Sequence, residues 1–276
     1  MLCKHMVVAI DHSEAGRSAT RFAGRLAMRA GAEITVLSVL PVSPNGGETS
    51  RDALDGLQAM LGKKIFASHP SLPVELAVAR GVPQVEIPRF AERVKADLIV
   101  LGRKSRSRTT RLILGDTADA VVRRSRLPAL LVPAGLSHLG RILVALDGTD
   151  RGLGVLRTSL ALAQSADLDF RAVTVEPVWP GEPPMVSSRS ERLAHTVEDC
   201  LQQESKSAGK PLATGTPLHI RHGDIVAEIV SEAVDVHADI LVTGFHPGGP
   251  LLVVEEGSVS RKLLHAASCA VLTVPL

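Results

Sequence analysis

Short apolar runs alternate with amphipathic stretches along the whole chain. The runs MVVAI, EITVLSVL, PVELAVA, DLIVLG and ALLVP in the first half have the length of buried strands and are too short for helices. Between them, apolar residues recur with helical spacing. In the stretch that begins at Ser13, for example, Phe22, Leu26 and Ala30 share one face. This alternation predicts a doubly wound α/β fold, in which a parallel sheet carries helices on both faces.

The pattern of the first half is repeated in the second half. The segment that begins at Met6 aligns with the segment that begins at Arg141. Equivalent residues are 136 positions apart at first and 142 positions apart from Gly81 onwards. The matching pairs are Asp11 and Asp147, Gly16 and Gly152, Gly81 and Gly223, Gly102 and Gly244, and Gly115 and Gly257. The repeat predicts two homologous domains, residues 1–136 and 139–276, joined by the short segment GLSHLG.

Four of the repeated residues fall at the carboxyl ends of predicted strands. They are Asp11 and Gly102 in the first copy, and Asp147 and Gly244 in the second. Ligands of doubly wound sheets bind beyond these strand ends. We therefore expect the binding site of each copy at this edge of its sheet.

The composition is typical of a soluble globular protein. Of 276 residues, 45% are hydrophobic and 22% are charged, and no apolar run reaches the ~18 residues of a membrane-spanning helix. The N-terminus lacks the long apolar core of a signal peptide. The three cysteines form no CxxC pair, which favours a reducing compartment and predicts a cytoplasmic protein without a membrane partner.

Several classes of function are disfavoured by what the sequence contains. Aromatic residues make up only 2% of the chain and tyrosine is absent, so the stacking platforms of single-stranded nucleic-acid binders are missing. The basic run RRSR lies in no nucleic-acid recognition motif. The ten histidines show no zinc spacing, and neither an HExxH nor a GxSxG motif occurs.

Charge is distributed unequally between the two halves. Residues 1–138 carry 20 Lys and Arg against 12 Asp and Glu, whereas residues 139–276 carry 11 against 17. The excess is concentrated in the segment GRKSRSRTTRLILG, residues 102–115, which has five basic residues and no acid. The first half is therefore the better host for an anionic ligand, although a charge drift between two surfaces would give the same counts.

The two copies together resemble a tandem universal stress protein. The resemblance rests on the strand ends VAIDHSE and VALDGTD, the turns RGVP and RHGD, and the strands ADLIVLG and ADILVTG. It covers nearly the whole chain and implies a role in the stress response. It also implies a Rossmann-like fold, similar to that of adenine nucleotide alpha hydrolases. In this family the last strand usually builds the dimer interface, which implies an internal pseudo-dimer of the two copies and leaves a further homodimer open.

One branch of the family binds ATP through Gly, two residues, Gly, nine residues, Gly, and Ser or Thr. Glycines let backbone amides approach phosphate oxygens, and a helix N-terminus adds a partial positive charge. The first copy has Gly102, Ser105, Gly115 and Asp116 at these positions. Asp116 brings a negative charge towards the phosphates, which the basic loop or a bound Mg²⁺ would offset, and Thr117 could supply the hydroxyl. Alternatively, Asp116 serves only as a helix N-cap.

The second copy departs from the ATP motif in another way. It has Gly244, Pro247, Gly257 and Ser258, so its last pair is intact, but Pro247 removes an amide donor. Its loop carries Glu255 and Glu256 and no Lys or Arg. We therefore expect a degenerate site in the second copy.

The resemblance implies the following binding residues. In the first copy, Asp11 would lie near the base, the ribose or an Mg²⁺ ion, and the loop amides with Arg106 or Arg108 would hold the phosphates. The full set in the first copy is Asp11, Gly102, Ser105, Arg106, Arg108, Gly115, Asp116 and Thr117, and the weaker set in the second copy is Asp147, Gly244, Gly257 and Ser258. The expected ligand is ATP or another adenine nucleotide, with Mg²⁺ as a candidate metal.

Three functions remain open at this level. The first is nucleotide binding for sensing or signalling, with slow ATP hydrolysis at most and no assigned catalytic residue. The second is a scaffold or partner-binding module in which both nucleotide sites are degenerate. The third is an enzyme related to the adenine nucleotide alpha hydrolases, which ranks last because the sequence IDHSEAG lacks the SerGlyGly-x-AspSer loop of its pyrophosphatase-type members.

Overall fold

A computed structural model describes most of the chain, and all structural statements concern the residues that it describes. The described ranges are 3–11, 13–42, 49–62, 72–103, 116–178, 185–209, 211–213, 217–246 and 259–276. They divide into two compact units, a first unit of Cys3–Ser137 and a second unit of His138–Val274. None of the helices in these ranges is long and apolar enough to cross a membrane.

The first unit is a five-stranded parallel sheet with four helices. Its elements are β1 (His5–Ile10), α1 (Glu14–Ala30), β2 (Glu33–Leu40), α2 (Ser50–Gly62), β3 (Val74–Arg80), α3 (Pro83–Arg93), β4 (Leu98–Arg103), α4 (Asp116–Arg124) and β5 (Ala129–Pro133). The strand order is β3-β2-β1-β4-β5, and the paired strands are parallel. The chain order therefore reverses direction beside β1, which places the switch point between β1 and β4.

The second unit repeats the architecture of the first. Its elements are β6 (Arg141–Ala145), α5 (Gly152–Ala166), β7 (Asp169–Glu176), α6 (Ser188–Ala208), β8 (Leu218–His222), α7 (Ile225–Asp235), β9 (Ile240–Phe245), α8 (Val259–Ala266) and β10 (Ala270–Pro275). The strand order is β10-β9-β6-β7-β8, and β6 pairs in parallel with both β7 and β9. The doubly wound α/β fold predicted from the apolar pattern is confirmed in both units.

Burial explains why the central strands read as continuous apolar runs. Five of the six residues of β1 are buried, and all five of β5 are. A parallel sheet has both faces covered by helices, so both sides of each central strand must be apolar. Helix α1 is amphipathic and begins at the N-cap Ser13, whose side chain accepts a hydrogen bond from the Gly16 amide. Ser13, at which the predicted helical stretch begins, therefore caps α1.

The repeated AlaAsp pair ties the start of one central strand to the start of its neighbour. In the first unit, Oδ2 of Asp97 accepts hydrogen bonds from the amides of Lys4, at 2.7 Å, and His5, at 3.0 Å. In the second unit, Oδ2 of Asp239 accepts them from the amides of Gly140, at 2.7 Å, and Arg141, at 2.9 Å. Each carboxylate therefore satisfies amides just before or at the first residue of a strand, where no ladder bond is available.

Two local features differ from the sequence reading or extend beyond the described ranges. Arg103, taken from the sequence as one of five basic loop residues, is the last residue of β4 and is only 1% exposed. It continues the strand into the core and is not one of the charges on a solvated loop. The expected continuation of α2 from Gly62 to Ala67 lies outside the described residues.

Candidate functional site

Half of the predicted binding residues lie outside the described part of the chain. They are Ser105, Arg106, Arg108 and Gly115 in the first unit, and Gly257 and Ser258 in the second. Asp116 and Thr117 are the first two residues of α4. The residues whose surroundings can be described are therefore Asp11, Gly102, Asp147 and Gly244.

Asp11 belongs to a hydrogen-bonded turn at the carboxyl end of β1. Its Oδ1 accepts hydrogen bonds from the amide of Ser13, at 3.2 Å, and from the hydroxyl of the same residue. The Ser13 hydroxyl in turn accepts from the amide of Gly16, at 3.1 Å. Asp11 therefore orients the group that caps α1, and its side chain stays exposed at the edge of the sheet where a ligand is expected.

The second unit builds the same turn from different residues. Oδ1 of Asp147 accepts hydrogen bonds from the amide of Thr149, at 2.9 Å, and from its hydroxyl, at 2.8 Å. The Thr149 hydroxyl accepts from the amide of Gly152, at 3.4 Å. Glycine is favoured there because a Cβ on Gly152 would lie 3.0 Å from Oδ1 of Asp147. The same turn therefore explains why Asp and Gly recur at these positions in both copies.

The strand-end glycines are held by close packing. A Cβ on Gly102 would lie 2.5 Å from the carbonyl carbon of Ala15, 2.6 Å from its oxygen and 2.7 Å from the nitrogen of Gly16. The first turn of α1 therefore packs directly on the end of β4. The three atoms nearest to a Cβ on Gly244 all belong to the side chain of Leu276, the closest at 2.8 Å. Gly102 is consequently required by the fold, whatever else contacts it.

A cavity of about 820 Å³ opens at the carboxyl edge of the second sheet. Asp147 follows β6, Glu176 ends β7, and Gly244 lies near the end of β9, so three neighbouring strands point into it. Apolar side chains form much of its wall, namely Val155, Val175, Ile225, Ile229, Val259 and Leu276. The cavity therefore combines an apolar surface with a few polar groups, as small-molecule sites do.

The charged groups of the cavity come from the strand ends and from α6. Asp147 and Glu176 supply carboxylates, Arg189 and Arg192 supply guanidinium groups, and His246 follows β9. The two arginines lie in the first two turns of α6. The cavity thus holds both signs of charge at its polar end.

Glu176 is fixed by the N-terminal end of α6. Its Oε1 accepts hydrogen bonds from the amide of Ser187, at 3.0 Å, from the Ser187 hydroxyl, at 2.6 Å, and from the hydroxyl of Ser190. The side-chain hydrogen bonds from Ser187 and then Ser190 are the largest causes that hold the pKa of Glu176 below its usual range. Glu176 is therefore a stable carboxylate that anchors α6 to the end of β7.

Several residues of the cavity were not predicted from the sequence. Ser260 donates a hydrogen bond to the carbonyl oxygen of Gly244, and Thr243 lies within 3.3 Å of the Ser260 hydroxyl. Ser260 lies two residues beyond the predicted Ser258. Glu176, Arg189 and Arg192 were missed because the ATP motif does not include their segment. Their positions at a strand end and a helix start are the pattern that could have indicated them.

A protein-held metal is not supported by the described residues. They contain no group of three or more His, Cys, Asp or Glu side chains that could hold a metal ion. At each predicted position a single aspartate is available, and one of its oxygens is engaged in the capping turn. Mg²⁺ usually binds through one or two carboxylates together with substrate phosphates, and Asp11, the residue predicted to meet such an ion, offers one carboxylate.

The universal stress protein family model matches the chain twice, over residues 3–133 and 138–275. The chain belongs to the universal stress protein family. The tandem arrangement of two such domains, predicted from the repeat and the resemblance, is confirmed by the two matches.

Individual relatives agree with the family assignment. A universal stress protein of Methanocaldococcus jannaschii is 31% identical over 140 residues, which are 48% of this chain and 82% of the relative. The crystal structure of a universal stress protein from Archaeoglobus fulgidus covers 98% of this chain and 98% of its own, with 18% identity and a TM-score of 0.72. A universal stress protein solved in complex with cAMP covers 49% of this chain, with 21% identity and a TM-score of 0.40. The Archaeoglobus structure shares the fold over the full length.

Proposed function

We propose that this universal stress protein binds an adenine nucleotide at the carboxyl edge of its sheets and uses it for sensing or signalling in the stress response. The observation that carries the proposal is the cavity of about 820 Å³ in the second unit, which is lined by Asp147 and Gly244. Both residues had been predicted as ligand contacts from the sequence.

The size and lining of the cavity suit a nucleotide. Small-molecule sites typically enclose roughly 300–1,000 Å³ and are mostly apolar with a few polar groups. Val175, Ile225 and Ile229 would cover the faces of an adenine ring. Oδ2 of Asp147 has no partner among the described residues, so it could accept hydrogen bonds from ribose hydroxyls.

The first unit is proposed to bind a nucleotide through its own version of the site. Asp11 lies in a turn equivalent to that of Asp147, and each accepts hydrogen bonds from the amide and hydroxyl of the residue two positions on. The sequence adds a loop rich in arginine after Gly102, in which Ser105, Arg106 and Arg108 would contact phosphates. The second unit, expected from its loop to be degenerate, has the cavity described above and is therefore included in the proposal.

Binding is favoured over efficient catalysis by the state of Glu176. A general base works best with a pKa near the operating pH, whereas two serine hydroxyls hold the pKa of Glu176 below its usual range. Its Oε1 is also occupied by three donors. Glu176 is therefore a poor general base for ATP hydrolysis in this cavity.

Calorimetric titration of the full chain with ATP and Mg²⁺ tests the proposal. We expect saturable binding that is weakened about tenfold or more by Asp147→Ala, because that variant removes a charged hydrogen-bond acceptor. Thr149→Ala is the matched control. It breaks the capping turn without removing the carboxylate, so it separates a disturbed turn from a lost ligand contact. Asp11→Ala reports on the first unit in the same way.

The titration also discriminates between the remaining functions. Loss of one of two sites in each aspartate variant would support a nucleotide in both units. No heat and no thermal shift with folded protein would contradict the proposal and favour the scaffold function. The internal pseudo-dimer and the cytoplasmic location stay predictions of the sequence.

A further inference from the structure

The two copies differ in where they carry positive charge. In the first copy, residues 104–114, which follow β4, include four Lys and Arg residues and no acid. In the second copy, the corresponding segment 245–256 has no Lys or Arg and ends in two glutamates. A phosphate group bound in the second unit must therefore find its cations on another element.

Helix α6 brings two arginines to the second cavity. Arg189 and Arg192 both line it, and both are exposed to solvent there. The Cγ and Cδ atoms of Arg189 lie 2.9 Å from the position that a Cβ on Gly148 would take, so its stem lies over the residue next to Asp147. The stem of Arg189 therefore lies beside the turn that follows β6, and the residue is exposed where it lines the cavity.

Oε1 of Glu176 and Oδ1 of Asp147 are engaged within the protein, whereas these arginines are not. Glu176 accepts hydrogen bonds from Ser187 and Ser190, and Asp147 accepts them from Thr149. Neither Arg189 nor Arg192 forms an ion pair with any described residue. The two guanidinium groups are therefore the positive charges available to an anionic ligand.

The carboxylate that anchors the start of α6 is specific to the second copy. Glu176 fastens the start of α6 through the serine hydroxyls, whereas the repeat places the apolar Leu40 at the equivalent point of the first copy. Alignment of the two helix starts, at Ser50 and Ser188, places Leu54 opposite Arg192. The second copy therefore has both a carboxylate anchor and an additional arginine that the first copy lacks.

We infer that Arg189 and Arg192 hold the phosphate groups of the nucleotide in the second unit, in place of the glycine loop of the ATP-binding branch. This inference rests on the proposed function, because it concerns the orientation of the ligand in the same cavity. Arginine suits the role because its planar guanidinium group forms paired hydrogen bonds with phosphate oxygens. The base then lies against the apolar wall from α7, and the phosphates lie towards α6.

A displacement experiment with the full chain tests the assignment. Trp179 is the single tryptophan of the chain. It lies two positions beyond Pro177 in the sequence, and Pro177 lines the cavity. The probe is an adenosine analogue, without phosphates, that carries on the adenine N6 a fluorophore absorbing tryptophan emission. Energy transfer from Trp179 reports probe bound near the second cavity, and unlabelled ATP or adenosine then displaces it.

The double variant Arg189→Gln with Arg192→Gln is compared with Lys206→Gln. Lys206 lies in the last turn of the same helix, about 25 Å from Arg189 along the axis. We expect the double variant to weaken displacement by ATP about tenfold or more and to leave displacement by adenosine unchanged. Lys206→Gln should match the wild-type chain with both competitors.

Three results would overturn the inference, and they are distinguishable. Equal displacement by ATP in the wild-type chain and the double variant would remove the arginines from the site and leave nucleotide binding intact. A parallel loss of ATP and adenosine affinity would mean that the arginines shape the cavity and do not hold phosphates. Absence of transfer in the wild-type chain would contradict the proposed nucleotide site of the second unit itself.

Discussion

The Ser187 hydroxyl donates a hydrogen bond of 2.6 Å to Oε1 of Glu176, across the junction between β7 and α6. Ser190 donates a further bond to the same oxygen. One carboxylate oxygen thereby fixes the direction in which α6 leaves the sheet edge. Two serines at the start of α6 therefore determine where this helix, which forms part of the cavity wall, lies.

The Glu176 anchor should make stability depend on pH. Hydrogen bonds from Ser187 and then Ser190 lower the pKa of Glu176 from its ordinary value of 4.5. The folded carboxylate therefore binds its proton less readily than the unfolded one. Its contribution is present above about pH 4.5 and is lost as the pH falls through the lower, folded pKa.

Urea unfolding of Glu176→Gln at several pH values checks this dependence. We expect a loss of about 1 kcal/mol in the free energy of unfolding at pH 7, because the group is only half-buried. The difference from the wild-type chain should shrink below pH 4. Ser188→Ala, which removes a neighbouring hydroxyl that does not bond Glu176, should be near neutral. A difference that stays constant with pH would contradict the assigned charge.

The two strand-end glycines should differ sharply in their tolerance of alanine. Gly102→Ala places a Cβ within 2.7 Å of the backbone of α1, which cannot move without shifting the helix. We expect a loss of about 3 kcal/mol or more. The atoms nearest to a Cβ on Gly244 belong to the flexible side chain of Leu276, so Gly244→Ala should cost about 1 kcal/mol or less. Thermal unfolding of the two variants gives the comparison, and equal losses would contradict it.

The equivalent aspartates Asp97 and Asp239 should contribute unequally to the free energy of unfolding. Asp239 is only 6% exposed and also contacts Nδ1 of His138 at 3.0 Å, whereas Asp97 is half-buried. Truncation leaves strand-start amides without a partner, so we expect a loss of about 2 kcal/mol for Asp239→Ala and about 1 kcal/mol for Asp97→Ala.

Denaturant midpoints at constant slope measure both truncations. The asparagine variants retain an acceptor oxygen at each site and should recover part of each loss. A larger effect of Asp97→Ala than of Asp239→Ala would show that burial does not rank these two contacts.

The fold could be predicted from the sequence because its determinants are local and repeated. Apolar runs of strand length, the capping Ser13 and the spacing between Asp11 and Asp147 each depend on short segments that the second copy reproduces. Arg103 was misread because a charged residue beside other basic residues favours a loop. Its burial depends on what packs around the end of β4, and a linear pattern does not contain that information.

The candidate site was predictable only where it depends on strand ends. Asp147 and Gly244 line the cavity because parallel strands place their carboxyl ends at one edge, and their contact with a ligand stays a prediction. Arg189 and Arg192 were missed, because their approach to the cavity depends on how Glu176 anchors α6. Such a contact joins residues on different elements, and their spacing along the chain does not indicate it.

Photolabelling with 8-azido-ATP, followed by identification of the labelled peptides, tests most directly whether a nucleotide binds at the sheet edge of the second unit. We predict label on peptides that contain the cavity residues of β6, β7, α6 or α7, with protection by excess ATP. Weaker labelling in Asp147→Ala, and unchanged labelling in Thr149→Ala, should accompany it. Label that excess ATP does not suppress would contradict nucleotide binding at this site. Protected label confined to peptides away from the carboxyl edge of the second unit's sheet would contradict it as well.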